Sequence, residues 1–442
     1  KLRAAIGLAG NNRISDDMWR YLYTVNSTGG PGFGEATQFG EQWYGNQGGT
    51  TFANKNIKWE TTLTRNLAAD ITLFNGRLTV TPEIYWNTTK DLLYKSDIPS
   101  ATGYVSQMQN IGQVTNKGVE LTISGDILSG RDYVLSANLS LGMNKMKVDK
   151  LNGTDNVIWD QNNRWKSSYN DYCLKVGDQV GLIYGFVYDG LYSMDEFYFD
   201  PTNNLQAVPW GSTAAENGTS KDAPIMDADG VEHPKTIINQ ISGDSNSGIA
   251  TLPGKVKFKD LNGDNKITTE DRTIIGNANP DFIFGIGNDF SYKNFDLSFM
   301  FQGTYGNDVY NLLKVTFSEL PSNSNNTGNA FAFVKDSCEG TSNTQQAFNK
   351  GVGPSSSRFV EDGSYIRLKN LTFGYTLPKS VTSKWGISNL RFYLSGQNLF
   401  TITGYSGYDP EVSSRTGNYN LGFDGGSYPA TRSYTFGLNL TL

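Results

Sequence analysis

The chain of 442 residues carries 43 acidic and 37 basic side chains, and its net charge of −6 argues against nucleic acid as a partner, because that binding needs clustered lysine and arginine. Hydrophobic residues make up 37% of the sequence and no apolar run reaches about 18 residues, which excludes a membrane-spanning helix. The abundance of glycine, tyrosine and phenylalanine (49, 24 and 24 residues) instead suits twisted strands and tight turns.

Alternation of apolar and polar side chains predicts ten strands, because successive side chains of a strand point to opposite faces. The first strand opens the chain, where apolar residues recur at every second position from Leu2 to Leu8. Asn75-Gly76 separates the second and third strands and is typical of a hairpin turn, since both positions need positive φ. The predicted strands cover residues 2–8, 63–73, 78–86, 119–127, 133–141, 282–290, 295–301, 363–377, 388–401 and 429–442.

The last predicted strand has one apolar and one polar face. Every second residue from Tyr434 to Leu442 is apolar, and the residues between them, from Ser433 to Thr441, are small or polar. In a soluble sandwich such an apolar face meets a core, whereas in an outer-membrane barrel it meets lipid while the polar face lines the lumen. We interpret this strand as the closing strand of a barrel.

The connections between the predicted strands are of two kinds. Several are tight turns, and others are long and polar, at residues 10–57, 149–280, 305–362 and 402–428. Long structureless connections are uncommon in compact soluble domains, whereas outer-membrane barrels combine short turns on one side with long extracellular loops on the other. We therefore predict an all-β fold, a transmembrane antiparallel β-barrel, with 149–280 and 305–362 as long loop regions. Ten strands with such loops are not expected to close a barrel alone, so the chain is interpreted as part of a longer one.

The segment Asp260–Asp271 has oxygen-bearing side chains at its first, third, fifth, ninth and twelfth positions. Calcium takes about six to eight oxygen ligands, and the backbone carbonyl at the seventh position adds one. Glycine at the fourth position and aspartate at the twelfth depart from the EF-hand pattern, so the loop is closer to the dockerin type. The sequence predicts a structural Ca²⁺ site, with an Asx-rich turn that binds no metal as the alternative. The predicted ligands are Asp260, Asn262, Asp264, Lys266, Thr268 and Asp271.

Residues suited to catalysis are scarce. His233 is the only histidine and lies in a polar loop, which excludes a Ser-His-Asp triad and a His-ligated zinc site. The acidic pair Asp195-Glu196 is interpreted as solvated loop surface rather than as the carboxylate pair of a glycosidase. Cys173 and Cys338 lie far apart and are interpreted as unrelated thiols, with a disulfide as the alternative. We expect no enzymatic activity and no catalytic residue.

Aromatic side chains in the longest polar connection are candidates for substrate binding, since flat aromatic faces stack on sugar rings or hold peptide side chains. The alternative is that they pack the loop onto itself or onto a partner. Trp59, Trp86 and Trp385 lie near strand ends and are expected in an aromatic girdle at the membrane interface. The candidate substrate-binding residues are Trp159, Trp165, Tyr169 and Trp210, with Tyr172 in the same group.

A series of short segments, in order along nearly the whole chain, carries a family resemblance. The segments are Ile57–Thr62, Phe74–Leu78, Asn116–Leu121, Asp260–Asp264, Asp271–Asn277, Asn279–Asp281, Phe301–Gly303, Tyr305–Asp308, Gly363–Asn370, Ser395–Phe400 and Gly407–Glu411. Together they resemble the SusC/RagA family of TonB-dependent outer-membrane transporters from the Bacteroidota. Their order and spread make the resemblance specific.

The resemblance implies a barrel of about 22 strands with a plug domain inside it. It also implies import energised through TonB, with a SusD-like surface lipoprotein as a lid and an oligosaccharide or a peptide as the substrate. No plug domain or TonB box is visible in residues 1–442, which resemble the carboxy-terminal part of the barrel. Outer-membrane lipid is the expected surrounding of the strands.

Four functions are weighed on these observations. A transporter explains the long alternating strands and the terminal strand. A secreted calcium-binding β-sandwich lectin would use the Asp260–Asp271 loop and the loop aromatics, but it does not explain so many long apolar strand faces. A passive porin differs from the transporter only in the plug, and a glycoside hydrolase lacks a credible acid–base pair.

Overall fold

The computed structural model of the chain describes residues 1–11, 19, 23–26, 36–39, 42–48, 51–102, 104, 106–151, 157–159, 171–200, 206–209, 225–226, 231–233, 236–240, 251, 255–316, 355–412 and 421–442. The chain divides into two compact units. Unit one comprises Lys1–Gly125, Gly142–Ile158 and Lys175–Gln179, and unit two comprises Asp126–Leu141, Trp159–Leu174 and Val180–Leu442. Each unit is described by itself.

Unit one contains an antiparallel sheet in which long strands follow one another in chain order. Direct partners across the sheet include Leu8 with Leu63, Leu67 with Ile84, and Ile84 with Val119. Directly opposed residues share a face, so apolar side chains from neighbouring strands line up on one side. The strands are β1 (Leu2–Asn11), β2 (Glu60–Ala69), β3 (Ile71–Leu73), β4 (Leu78–Lys90), β5 (Gln113–Ser129) and β6 (Tyr133–Lys150), of which β5 through Gly125 and β6 from Gly142 belong to this unit.

Unit two contains a second run of antiparallel strands, again paired in chain order. Its apolar positions also align, as in the row from Ile286 through Phe301 and Leu368 to Phe400. The strands are β7 (Phe282–Tyr292), β8 (Phe295–Tyr305), β9 (Tyr365–Thr376), β10 (Asn389–Thr403) and β11 (Ser433–Thr441).

The turns predicted from the sequence are confirmed. Phe74 and Asn75 each have φ of 54° and Gly76 has φ of 91°, so the predicted Asn75-Gly76 turn forms with one further left-handed residue before it. Lys293, between β7 and β8, has φ of 51°. All ten predicted strand positions are occupied, with β2 and β3 together filling the second.

Strand ends depart from the sequence prediction, most clearly at β5 and β6. Both extend well past their apolar stretches, to Gln113 at one end and Lys150 at the other. Polar side chains hold this extension together, since Asp149 accepts hydrogen bonds from Gln113 Nε2 at 2.9 Å and Thr115 Oγ1 at 2.5 Å. Apolar alternation marks the strand only where one face is apolar, and it therefore misses this polar continuation.

One face of the strands exposes large apolar side chains. Phe436 of β11 is 72% exposed and Val119 of β5 is 51% exposed. The three tryptophans expected in an aromatic girdle are also exposed, with Trp385 at 61%. An apolar face that packs on no core fits the predicted lipid-facing surface.

Helices are short. They are α1 (Leu312–Thr316) and α2 (Lys379–Thr382), with single 3₁₀ turns at Ser100–Thr102, Met194–Glu196, Thr269–Asp271, Ser357–Phe359 and Ser383–Trp385. Among the described residues, none of the helices has the length and apolar character needed to cross a membrane.

The long connections at 149–280 and 305–362 contain more than polar loop. Their described parts form short paired strands and enclose buried apolar side chains. The short strands in all connections are Tyr23–Asn26, Ala36–Phe39, Gln42–Gly48, Thr51–Phe52, Leu93–Asp97, Ser106–Asn110, Val157–Trp159, Cys173–Lys175, Leu182–Phe186, Tyr188–Leu191, Phe197–Asp200, Gln206–Pro209, Ile225–Met226, Glu232–His233, Ile238–Asn239, Val256–Phe258, Lys266–Ile267, Arg272–Asn277, Asp308–Asn311, Val360–Asp362 and Phe423–Asp424.

Candidate functional site

The candidate site lies in unit two, where the long connections meet. Antiparallel pairing places the start of β7, the end of β8, the start of β9 and the end of β10 at one end of the sheet, opposite the short turn at Lys293. The connections that leave this end pack together into a structure that we call the loop body. Its described residues are 171–174, 180–200, 255–281, 306–316, 355–364, 404–412 and 421–432.

An apolar cluster joins three of these connections. The rings of Tyr310 and Phe423 stack with centroids 5.9 Å apart and planes within 4° of parallel. The hydroxyl of Tyr172 donates to the backbone oxygen of Leu421 at 2.8 Å, across 249 residues of sequence. The buried members are Tyr172, Ile183, Tyr310, Val315, Phe359 and Phe423. This burial makes the loop body a folded element rather than a set of independent loops.

A second apolar cluster lies beside the Asp260–Asp271 loop. Its buried members are Phe186, Val256, Phe258 and Ile267, with the rings of Phe186 and Phe258 at 5.2 Å. A salt bridge between Lys257 Nζ and Glu196 Oε1, 2.5 Å long, flanks this cluster. Ile267 belongs to both the cluster and the loop, so it anchors the loop on the folded body.

The family-like segments contact one another at the rim of the sheet. Asp308 Oδ2 accepts a hydrogen bond from the backbone N–H of Asn277 at 2.7 Å, and Gly306 N–H donates to Ser364 Oγ at 2.9 Å. The side-chain amide of Asn279 donates to Val180 O at 2.6 Å. Burial raises the pKa of Asp308, and the facing charge of Asp362 adds to this, although the Asn277 N–H opposes both. These bonds fix where each connection leaves its strand.

A buried ion pair joins β9 to the connection that precedes β11. The side chain of Arg367 is 2% exposed, and its guanidinium donates to Asp409 Oδ1 at 2.5 Å and to Glu411 Oε2 at 2.9 Å. Arg367 Nε also donates to Thr401 Oγ1 at 2.8 Å. Asp409 Oδ2 in turn accepts from Ala430 N–H at 3.0 Å, so one carboxylate links the two ends of that connection.

Further polar contacts brace the same connection. Tyr405 donates its hydroxyl to Asp424 Oδ2 at 2.6 Å, and burial together with that carboxylate raises the pKa of Tyr405. Glu361 accepts from Ser406 Oγ at 2.8 Å and from Lys314 Nζ at 2.9 Å. Burial alone would raise the pKa of Glu361, but these donors outweigh it and the pKa lies below its usual value. The connection from 404 to 432 is therefore held at several points.

The predicted calcium loop closes on its own backbone. Asp260 accepts from Gly263 N–H at 2.7 Å and from Asn265 N–H at 2.6 Å, and Asp264 accepts from Lys266 N–H at 2.8 Å. Asn262 accepts from Asp264 N–H at 2.9 Å. These are Asx-type turn contacts, which each use one lone pair of an oxygen and leave others for a cation.

The twelfth position of this loop has a structural role of its own. Asp271 is 0% exposed and accepts hydrogen bonds from Leu261 N–H at 2.9 Å and Thr268 N–H at 2.7 Å. Thr268 Oγ1 accepts a hydrogen bond from Glu270 N–H at 3.2 Å. Among the described residues no three His, Cys, Asp or Glu side chains converge on one point. Binding of a Ca²⁺ ion would therefore need the side-chain oxygens of Asn262 and Thr268 and the backbone carbonyl of Lys266 in addition to the carboxylates. The calcium site stays a prediction.

The structure describes only some of the candidate substrate-binding aromatic residues. Trp165, Tyr169 and Trp210 lie outside the described residues, and for Trp159 only its place at the end of a short strand is described. Tyr172 is buried in the apolar cluster, in agreement with the alternative that these rings pack the loop. His233 pairs with Ile225 across a short hairpin.

The sequence analysis did not predict the bracing contacts of Arg367, Asp409 and Tyr405. Arg367 and Asp409 fall inside family-like segments, Gly363–Asn370 and Gly407–Glu411, but nothing in the pattern of either segment pairs them. Arg367, which lies between Ile366 and Leu368 in a strand, was the available signal, since a buried cation needs a partner.

A family comparison gives the class of protein. The family model described as TonB dependent receptor-like, beta-barrel, matches residues 19–399, and the chain belongs to this family. It is an outer-membrane β-barrel protein, similar in sequence to SusC and in fold to the RagAB transporter.

Individual relatives agree. The chain is 35% identical over 398 residues to TonB-dependent receptor P3 of Formosa agariphila, covering 88% of this chain and 35% of the relative. It is 29% identical over 449 residues to TonB-dependent receptor SusC of Bacteroides thetaiotaomicron, covering 100% of this chain and 37% of the relative. By their names these relatives are receptors rather than enzymes. The chain thus spans well under half the length of either relative.

A solved structure agrees in fold. The RagAB peptide transporter superposes with a TM-score of 0.68 at 22% identity, over 99% of this chain and 40% of that one. Membership of the barrel family decides between the barrel and the secreted β-sandwich lectin, in favour of the barrel.

Proposed function

We propose that the chain forms part of the wall and the loop body of an outer-membrane nutrient importer. In this proposal the whole protein takes up an oligosaccharide or a peptide with energy delivered by TonB through a plug domain. A SusD-like surface lipoprotein serves as its lid. The chain carries out no reaction, and its chemistry is binding.

The braced loop body is the observation that carries the proposal. Arg367 and its two carboxylate partners hold the connection before β11, and the apolar cluster around Tyr310 joins three connections. Preorganised loops lower the entropy that a ligand or a lid must overcome on binding. The relatives named TonB-dependent receptor, SusC among them, support the energy source and the lid.

The substrate contacts are proposed to come from Trp159, Trp165, Tyr169 and Trp210. All four lie in the connection between β6 and β7, which also contributes to the loop body. Tryptophan and tyrosine supply large rigid contact surfaces, which suits sugar rings and peptide side chains alike. Uptake of labelled oligosaccharides and labelled peptides distinguishes these two substrate classes.

The test is uptake by cells that carry the full-length protein as their only copy of this importer. Labelled oligosaccharides and labelled peptides are supplied to cells with and without TonB. We expect one of the two panels to enter, and only when TonB is present. Uptake that persists without TonB would favour the passive porin and contradict the proposal.

The same assay tests the aromatic contacts. Trp165→Ala is expected to lower uptake by roughly tenfold, from about 1–1.5 kcal/mol of lost ring contact, with unchanged amounts of assembled protein. Trp385→Ala is the matched control, because that tryptophan lies beside a short turn, far along the strands from the loop body. Equal uptake by both variants would remove Trp165 from the binding site.

A further inference from the structure

The outward face of unit one changes from apolar to basic residues near the end of the strands from which the long connections leave. We define this face by the aligned, exposed residues Leu67, Ile84 and Val119, which meet as direct partners or lie on the same row. Two residues further along each of these strands, toward the long connections, are Arg65, Trp86 and Lys117. Strand residues two apart share a face and lie about 6.6 Å apart along the strand.

The register fixes these three side chains as neighbours. Lys117 is directly opposite Trp86. Arg65 lies between the registered pairs Leu63–Thr88 and Leu67–Ile84, which places it beside Trp86, and its Nη2 donates to Thr88 Oγ1 at 3.3 Å. A tryptophan flanked by two cations therefore stands where the apolar side chains of β4 and β5 end, while on β2 the apolar Leu63 lies beyond Arg65.

More cations lie on the outward face of β4 and β6, toward the long connections. Asp149 contacts Gln113 and Thr115, which puts the odd-numbered residues of β6 on the face of the odd-numbered residues of β5. Lys145 and Lys147 therefore lie on the outward face, as does Lys90 of β4, two residues beyond Thr88. We call Arg65, Lys90, Lys117, Lys145 and Lys147 the cationic belt.

Acidic side chains lie almost entirely on the opposite face, which also carries the basic residues Arg3 and Lys150. On the outward positions of β1, β2, β4, β5 and the unit-one part of β6, the one acid is Asp149, which already accepts two hydrogen bonds. Glu60, Glu83 and Glu120 lie on the opposite face, where Glu60 and Glu83 accept from Asn11 and Asn66. Within the described part of the chain, Lys117, Lys145 and Lys147 are exposed and form no salt bridge.

The geometry points to a binding surface for a phosphate-bearing glycolipid of the outer leaflet of the membrane. Long connections are extracellular in outer-membrane barrels, so the belt stands at the outer membrane–water boundary. Lysine and arginine stems cover apolar surface while their charged ends reach the head-group level, and tryptophan settles at the same depth. The predominantly positive charge there matches phosphate. A merely solvated strand face has no reason to segregate its acids to the other side.

The probe is purified lipid A from the source outer membrane, used with its phosphate and after chemical removal of it. Binding to the full-length protein in nonionic detergent is followed by native mass spectrometry. The triple variant Lys117→Gln, Lys145→Gln, Lys147→Gln is compared with Lys293→Gln, Lys379→Gln, Lys384→Gln, which removes three exposed lysines at the short-turn end. Thermal unfolding of each variant checks that it is folded.

The belt variant is expected to bind phosphorylated lipid A roughly 100-fold more weakly than wild type, from about 1 kcal/mol per lysine at an anionic lipid surface. The control variant is expected to match wild type, and phosphate-free lipid to bind all three proteins equally. Equal binding by the belt variant and wild type would overturn the inference. An equal loss of lipid A affinity in the control variant would also overturn it, as would wild-type affinity that does not change when the phosphate is removed from the lipid. Displacement of the lipid by an equal concentration of inorganic phosphate would overturn it as well.

Discussion

The buried guanidinium of Arg367 ties β9 to the connection before β11. Replacing it by methionine leaves the carboxylate of Asp409, whose side chain is 7% exposed, without its cation. We expect a loss of about 3–5 kcal/mol in the free energy of unfolding, the usual cost of breaking one side of a buried pair. Urea titration of the full-length protein in detergent, followed by tryptophan fluorescence, measures it.

Glu411 provides the matched control. Its side chain is 48% exposed, so Glu411→Gln should cost no more than about 1 kcal/mol. An equal effect of the two substitutions would show that the pair is solvated and would contradict its bracing role.

Asp409 makes this brace sensitive to acid. Burial raises the pKa of its carboxyl, but the N–H groups of Ala430 and Glu411 and the charge of Arg367 outweigh burial, and the pKa lies below 3.8. A carboxyl with a lowered folded-state pKa adds stability above its unfolded pKa and loses it as the pH falls through the folded value. We expect the melting temperature to fall as the pH drops below about 4, and Asp409→Asn to flatten that fall. Parallel slopes for wild type and variant in thermal melts would contradict this.

Single residues also show where sequence reasoning ends. The left-handed turn at Asn75-Gly76 was predictable because few residues accept positive φ. The pairing of Arg367 with Asp409 was not, because the two lie 42 residues apart and only the folded connection brings them together.

At the scale of elements, the Asp260–Asp271 loop offers a test of metal binding. If Ca²⁺ binds there, a chelator should lower the melting temperature of the wild type and leave Asp264→Ala unaffected, since Asp264 is exposed and supplies a ligand. Asp271→Ala should lower the melting temperature with or without chelator, because Asp271 holds two backbone N–H groups in a buried position. A wild type that ignores the chelator would leave a turn without metal.

The strands were predictable as elements and the loop body was not. Period-two alternation appears wherever one face meets lipid, which is why all ten strand positions could be placed. The short strands of the loop body pair over long separations, as Leu182–Phe186 does with Arg272–Asn277. Two to six residues carry too little periodicity to identify such strands, and their apolar cluster draws on three connections.

At the scale of the whole molecule, the chain has two kinds of surface with different properties. The alternating strands provide an exposed apolar face bordered in unit one by the cationic belt, and the connections of unit two provide a braced loop body. The first suits a membrane protein of the TonB-dependent receptor family, and the second suits the binding role that we propose for the loop body. The count of about 22 strands in the complete barrel stays a prediction.

Native and intact mass spectrometry of the protein, extracted in detergent from its source outer membrane, tests the central proposal most directly. We predict a polypeptide far heavier than the 48.7 kDa of this chain, bound to a lipoprotein partner. A water-soluble species of 48.7 kDa with no partner would contradict the importer and its lid.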